Sequence, residues 1–197
     1  MPLVTSKATP SAKHESPQLK VAALDASGQL IPYPGDMAAK YIGHGIKSAT
    51  RLNTLLLDGG FYMRDGGVHK RGTFVSNGIG PAGSAALGSA LALNRSLTKL
   101  SLYGNELGDT GAISFVGTLS SSSAASQLTD LDLGANEIGN AGAEAVSRLC
   151  TSLGSLTDVS LKDNIVDATG LWAMVRVLKG SRITRLAYLS MRNNQLN

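Results

Sequence analysis

Apolar residues return along this chain at one fixed spacing. Leu97, Leu100, Leu102 and Leu107 stand at offsets 0, 3, 5 and 10 of a unit that also holds Asn105 at offset 8. The same offsets are filled by Leu128, Leu131, Leu133, Asn136 and Ile138, then by Leu156, Val159, Leu161, Asn164 and Val166. A further unit reads Leu186, Leu189, Met191, Asn194 and Leu196. The units start at 97, 128, 156 and 186, so they lie 31, 28 and 30 residues apart. Apolar residues two apart with polar ones between them predict a short strand with one buried face. Copies of that strand can pair in parallel. An Asn at a fixed offset after each strand predicts a ladder in which its amide bonds backbone groups where the chain turns away.

The second half of each unit has a helical period. Gly111, Phe115 and Leu119 fall at offsets 14, 18 and 22, as do Gly142, Val146 and Cys150, and Gly170, Met174 and Leu178. Steps of four keep them near one helix face. The glycine is expected to let each helix start lie close to the strand layer. Asp109, Asn140 and Asp167 precede these helices as candidate N-caps.

This order of strand, Asn turn and helix resembles the ribonuclease-inhibitor type of leucine-rich repeat, whose units run about 20–29 residues. In that type N-x-L-x-x-x-G-x-x-x-L-x-x-x-L follows an L-x-x-L-x-L strand. The resemblance extends over residues 19–197 and is most specific from residue 77 onward. It implies an α/β solenoid, right-handed and of about six repeats, with parallel strands on the concave side and helices on the convex side. Members of that family usually bind other proteins. Ran GTPase-activating protein is similar to the same repeat type. Its acidic C-terminal tail has no counterpart here, and none of its functional residues can be matched in this chain.

Residues 1–18 read as an extended polar tail, with three prolines and no apolar period. They lack the apolar core of a secretory signal, and the absence of Arg argues against an organellar transit peptide. A divergent first unit follows, in which Leu19, Ala22 and Leu24 are expected to form the strand and a helix starts near Asp36. It fits a capping repeat of the domain spanning 19–197. Leu52, Leu55 and Leu57 form the next strand, and Asn77, Ile79, Gly83, Leu87 and Leu91 resume the pattern. From Leu52 to Leu97 is 45 residues, so an insert sits after the strand, at about 58–74. Its aromatic and β-branched residues flank Asp65-Gly66-Gly67, a hairpin signal. Phe61, Tyr62, Arg64, His69, Lys70 and Arg71 give it the aromatic and basic mixture of a binding surface.

The run GIGPAG at 78–83 matches the dinucleotide fingerprint G-x-G-x-x-G. The repeats account for it better, because Gly80 aligns with Gly108 and Gly139, and Gly83 with Gly111, Gly142 and Gly170. No cofactor is expected. His14, His44 and His69 lack metal-ligand spacing, and no Ser, His and Asp set suggests nucleophilic catalysis. The chain is therefore read as a non-enzyme with no metal.

At 197 residues and 43% hydrophobic content there is enough material for one core. The lone Cys150 fills a core helix offset and is expected to be a buried small hydrophobe, which suggests an intracellular protein. A net charge of +4 without a dense Lys/Arg cluster does not favour nucleic acid. No run of 18 apolar residues predicts a membrane span.

Offsets 2, 4 and 6 of each strand should face away from the core. They hold Thr54, Leu56 and Asp58; Lys99, Ser101 and Tyr103; Asp130, Asp132 and Gly134; Asp158, Ser160 and Lys162; and Tyr188, Ser190 and Arg192. Asp130, Asp132 and Asp158 would sit in adjacent strands, where like charges repel unless a cation compensates. A basic segment of a partner is expected to lie there, met by Lys99, Tyr103, Asp130, Asp132, Asp158, Lys162, Tyr188 and Arg192. The last unit stops before its helix, so either the chain is a fragment or a partner covers the apolar edge near Leu189, Met191 and Leu196, and coverage by a partner is favoured. The resulting reading is a non-enzymatic protein-interaction scaffold, a small structural subunit of a larger intracellular assembly that contacts several subunits. A cytoplasmic or cytoskeletal setting is favoured over an organellar one. The alternatives are a GTPase-activating regulator and a free inhibitor that binds a basic partner on the concave face.

The strand phase makes core and face respond differently to truncation. Leu131→Ala is expected to cost roughly 2–5 kcal/mol in urea denaturation, and Asp132→Ala no more than about 0.5 kcal/mol. Unfolding by Asp132→Ala would show the phase to be inverted.

Overall fold

The computed structural model describes residues 18–20, 35–62, 73–120, 127–181 and 185–196, with backbone only at 18–20, 60–62 and 73–75. Along the chain come β1 (Gln18–Lys20), α1 (Gly35–Ile46), β2 (Thr54–Leu56), β3 (Gly60–Tyr62), β4 (Thr73–Val75) and α2 (Pro81–Leu91). They are followed by β5 (Lys99–Ser101), α3 (Gly108–Ser120), β6 (Asp130–Asp132), α4 (Asn140–Ser152), β7 (Asp158–Ser160), α5 (Ala168–Gly180) and β8 (Tyr188–Ser190). Six strands form one parallel sheet in the order β1-β2-β5-β6-β7-β8. Each helix packs on the next on the other side of the core. This is an α/β solenoid of the leucine-rich-repeat kind.

Register is fixed by stacking like on like. Leu55, Leu100, Leu131 and Val159 are direct partners across the sheet and are at most 2% exposed. Phe115, Val146 and Met174 close the column from the helix side, each no more than 1% exposed. Cys150 belongs to the same core, and burial pushes its thiol up to about 11. It is a packing residue there.

The Asn ladder supplies hydrogen bonds that three-residue strands cannot. Asn136 is fully buried; its Nδ2 donates to the carbonyls of Leu102, Leu133 and Gly134, and its Oδ1 accepts from Leu107 N–H. Asn164 repeats this one coil on, donating to Leu133 and Leu161 and accepting from the amides of Asn136 and Ile138. Asn105 and Asn194 extend the series in both directions. Asn77 joins it across the interruption: its Nδ2 donates to the Leu57 and Asp58 carbonyls, 20 and 19 residues back. Between those points β3 and β4 pair antiparallel outside the main sheet, with Phe61 opposite Phe74. Residues 63–72, including Arg64, His69, Lys70 and Arg71, lie outside the described residues.

Two expectations need correction. The first strand pairs Leu19, not Ala22, with Leu55. The run from Val21 to Leu24 is apolar throughout, so its pattern lacks the alternation that specifies a register. Secondly, Asp109 does not cap its own helix. It sits in the first turn of α3, and its Oδ1 accepts from Gly139 N–H at 2.7 Å and Gly142 N–H at 2.8 Å, at the start of α4. Asn140 likewise reaches forward to Asp167 N–H, and Asp36 in α1 to Gly80 and Gly83 N–H in α2. Only Asp167 caps its own helix, through Thr169 and Gly170 N–H. Its pKa is lowered, chiefly by the Asn140 amide and then by those backbone donors. The recurrent glycine is tight on two sides, against the apolar residue that follows its own strand and against the preceding coil's first helical turn: a Cβ on Gly142 would stand 2.7 Å from Asp109 Oδ1, 2.8 Å from Ile138 Cγ2 and 3.1 Å from Ala112 Cβ.

Those bonds also explain the fingerprint run. The amides of Gly80 and Gly83 that would face a phosphate are bonded to Asp36, which occupies the helix start as an internal anion.

Loss of one ladder amide should be costly inside the stack. Asn136→Ala leaves carbonyls and an amide unpaired in a dry site and is expected to lower stability by roughly 2–4 kcal/mol in urea denaturation. Asn194→Ala, at a partly exposed position, should cost less than half of that. Equal losses at the two sites would contradict a burial-dependent ladder.

Candidate protein-binding face

On one face of the sheet the residues at offsets 2 and 4 from β2 to β7, with Tyr188 and with Asp58 at offset 6, line a shallow open hollow of about 450 Å³. Its first row runs Thr54, Lys99, Asp130, Asp158 and Tyr188, each beside the next in register. Asp130 thus has Lys99 on one side and Asp158 on the other. Each of these two aspartates has one carboxylate oxygen held by the preceding residue, Thr129 Oγ1 at 2.6 Å and Thr157 Oγ1 at 2.7 Å. Each of those hydroxyls has a single proton, and a carbonyl of the coil before stands as a longer, competing acceptor, Thr98 O at 3.0 Å and Thr129 O at 3.3 Å. Tyr188 ends the row at 59% exposure.

The third row is organised by a missing side chain. A Cβ on Gly134 would meet Tyr103 Cδ2 at 2.8 Å and Lys162 Cγ at 2.9 Å, because both neighbours lean over it. Lys162 Nζ lies 4.6 Å from the centre of the Tyr103 ring, a cation–π contact. The same ammonium is 3.8 Å from Asp132 Oδ2, and the Tyr103 hydroxyl donates to Asp163 Oδ2 at 3.3 Å. Asn193 Nδ2 holds the other Asp163 oxygen at 2.7 Å. Burial, and then the Asp163 carboxylate, push the Tyr103 hydroxyl's pKa up. Tyr103 and Lys162 are therefore engaged with each other, whereas Lys99, Tyr188 and Arg192 project from the face as exposed side chains.

Asp58, at the β2 end of this row, has a raised pKa. Desolvation is the main cause, the Asp132 charge adds to it, and the Ser101 hydroxyl, Tyr103 backbone and Lys162 offset part of it. Counting Asp58, Asp130, Asp132, Asp158 and Asp163 against Lys99, Lys162 and Arg192, five acids face three cations on a chain whose net charge is +4. Of the eight residues expected from the sequence, Lys99, Asp130, Asp132, Asp158 and Tyr188 line the hollow, and Tyr103 and Lys162 meet over Gly134 beside it. The roles of Gly134 and Asp163 were not foreseen. The small residue at an offset held by Tyr103, Lys162 and Arg192 in other coils was the available signal.

Among the described residues no group of three or more His, Cys, Asp or Glu side chains converges as a metal site, and no helix is long and apolar enough to cross a membrane. The backbone of Phe61 and Tyr62 lies in β3, apart from the main sheet.

The leucine-rich repeat family model matches residues 93–116 and 126–147, the segments that carry β5 with α3 and β6 with α4. No curated protein sequence matches the chain. Among solved structures, leiomodin-1 actin-binding site 2 is similar, with a TM-score of 0.55 and 14% identity over 80% of this chain and 76% of that one. The tropomodulin C-terminal domain of Caenorhabditis elegans is similar at a TM-score of 0.52 and 12% identity, over 79% of this chain and 81% of that one. At such identities the likeness is one of fold.

The Asp58 shift has a pH signature. A carboxyl raised in the folded state binds its proton more tightly folded than unfolded. Stability therefore falls as pH rises from the ordinary value of 3.8 through the raised one, and stays lower above it. Asp58→Asn is expected to raise the urea midpoint at about pH 7 and to give no gain near pH 3, where both states are protonated. A larger gain at the acid end would reverse the sign of the shift.

Proposed function

We propose that this leucine-rich-repeat protein of the ribonuclease-inhibitor type is a non-enzymatic protein-interaction scaffold whose concave face engages a basic segment of a partner. The observation that carries this reading is the in-register row of Lys99, Asp130, Asp158 and Tyr188, with Asp132 and Asp58 behind it. Adjacent like charges in a parallel sheet cost stability, and an incoming Lys or Arg relieves that cost on binding. Tyr188 adds an exposed aromatic anchor at the edge of the acids. Because each of the two acids already accepts a bond from the preceding threonine hydroxyl, less side-chain freedom is lost on association.

The chain is read as a polar N-terminal segment over 1–18 and a repeat domain over 19–197, with an insert at about 58–74 as a second contact. A rigid array offering several surfaces suits a small structural subunit that touches several members of one intracellular assembly. The fold neighbour described as an actin-binding site supports a cytoskeletal setting. No feature of the concave face favours the GTPase-activating or free-inhibitor readings over this one.

Native capture from the source cells with crosslinking mass spectrometry tests the proposal. Crosslinks from Lys99 and Lys162 to a fixed set of subunits are expected, and Asp130→Lys with Asp158→Lys should abolish capture while leaving the circular-dichroism melt within a few degrees of wild type. A predominantly free monomer, capture of a GTPase alone, or capture indifferent to the charge reversal would sink it.

A further inference from the structure

At offset 6 of the β6 coil stands Gly134, where the coils on either side carry Tyr103 and Lys162. A glycine in such a place marks the close approach of another group. Both neighbours lean over it, with Tyr103 Cδ2 2.8 Å and Lys162 Cγ 2.9 Å from where a Cβ would be. The space above Gly134 is thus a seat for one cation, and the Lys162 ammonium sits in it, 4.6 Å from the centre of the Tyr103 ring.

The seat is firmer than its occupant. Tyr103 is braced by its hydroxyl's bond to Asp163 Oδ2 at 3.3 Å, and Asp163 is held in turn by Asn193. Asp132 is aimed by the Gly134 N–H, which donates to its Oδ1 at 2.9 Å. Its Oδ2 then faces Lys162 at 3.8 Å, too far for a hydrogen bond. Asp58 is close enough to feel the charges of both Asp132 and Lys162, and burial already disfavours its ionised form. The Lys162 side chain, by contrast, is 39% exposed and meets the acid beyond hydrogen-bond reach. Ion pairs of that kind hold weakly.

We propose that Lys162 is a resident stand-in for an arginine of the partner, which displaces it, stacks on Tyr103 and forks to Asp132. This rests on the reading of the concave face as the site of a basic segment, and names the residue that the segment brings. An arginine gains what a lysine cannot: its planar guanidinium lies flat against a ring, and two of its N–H donors engage one carboxylate together. An incoming lysine would exchange one point charge for another with no net gain. Gly134 leaves the floor clear for a flat group, and the displaced Lys162 moves out on its four-carbon stem toward solvent. Asp130 lies four residues before Gly134, roughly 13 Å away at the rise of an extended chain. A partner segment running along that strand therefore carries a second basic residue four positions from the arginine, facing Asp130 and Asp158.

The test titrates the full chain at low salt with a capped peptide, Ser-Arg-Gly-Ser-Gly-Arg-Ser, and with its lysine counterpart. The Tyr103 ring current shifts the Lys162 side-chain methylene signals upfield in proton NMR, and their absence from Lys162→Met assigns them. Saturation with the arginine peptide should return these signals to ordinary lysine positions, whereas the lysine peptide should leave them upfield and bind more weakly. Lys162→Met keeps the stem over Gly134 and removes the charge. It should bind the arginine peptide roughly fivefold more tightly, with a melt within a few degrees of wild type. Tyr103→Leu should lose the preference for arginine, and Tyr103→Phe should retain it. Lys162 signals that stay upfield at saturation, a Lys162→Met affinity equal to or below wild type, or equal affinity for the two peptides would overturn the inference. If binding is then still lost on Asp130→Lys with Asp158→Lys, the basic-segment reading stands without it. No saturable binding of either peptide, to wild type or to Lys162→Met, would overturn both.

Discussion

Each coil of this protein completes the hydrogen bonding of its neighbour, and the rest of the structure depends on that. Strands of three residues cannot hold a sheet together by themselves, and the turns that follow them would leave buried amides and carbonyls unpaired. The Asn at offset 8 removes the difficulty with one side chain. Asn136 serves carbonyls of its own coil and the one before, while its carbonyl oxygen takes the preceding coil's Leu107 amide. A coil is thus satisfied only inside a stack, which makes the stack the unit of stability.

The same reciprocity operates among the helices. Asp36, Asp109 and Asn140 each sit in the first turn of one helix and serve the start of the next, where the amide dipoles favour an oxygen acceptor. Glycine at offset 14 follows from this, since a side chain there would fill the space that the acceptor needs. On the concave face, Thr129 and Thr157 donate to the carboxylates of Asp130 and Asp158 and so orient the acids beside the strands that carry them.

Interruption of the pattern creates a further surface. Asn77 bonds the carbonyls that an Asn three residues past Leu57 would have bonded, which closes the base of the β3–β4 pair and returns the chain in phase.

The sequence by itself determined the period, the strand and helix order, the inward columns and the outward rows, because all of these are set by spacing along one chain. Leu131 and Asp132 take opposite sides from nothing more than alternation. Glycines at 80 and 83 could be assigned to the repeat by alignment within the chain alone. Other features were decided only in the folded stack, since they depend on which coil lies next to which. Asp109 reads as a cap for its own helix, yet its carboxylate is nearer the following one. Tyr103 reads as a free anchor, yet Gly134 in the next strand lets Lys162 reach its ring. Leu19 takes the register that Ala22 would have had, because a continuous apolar run carries no alternation to count. Spacing fixes what faces inward; contact between coils, which no single repeat encodes, fixes what each polar side chain holds.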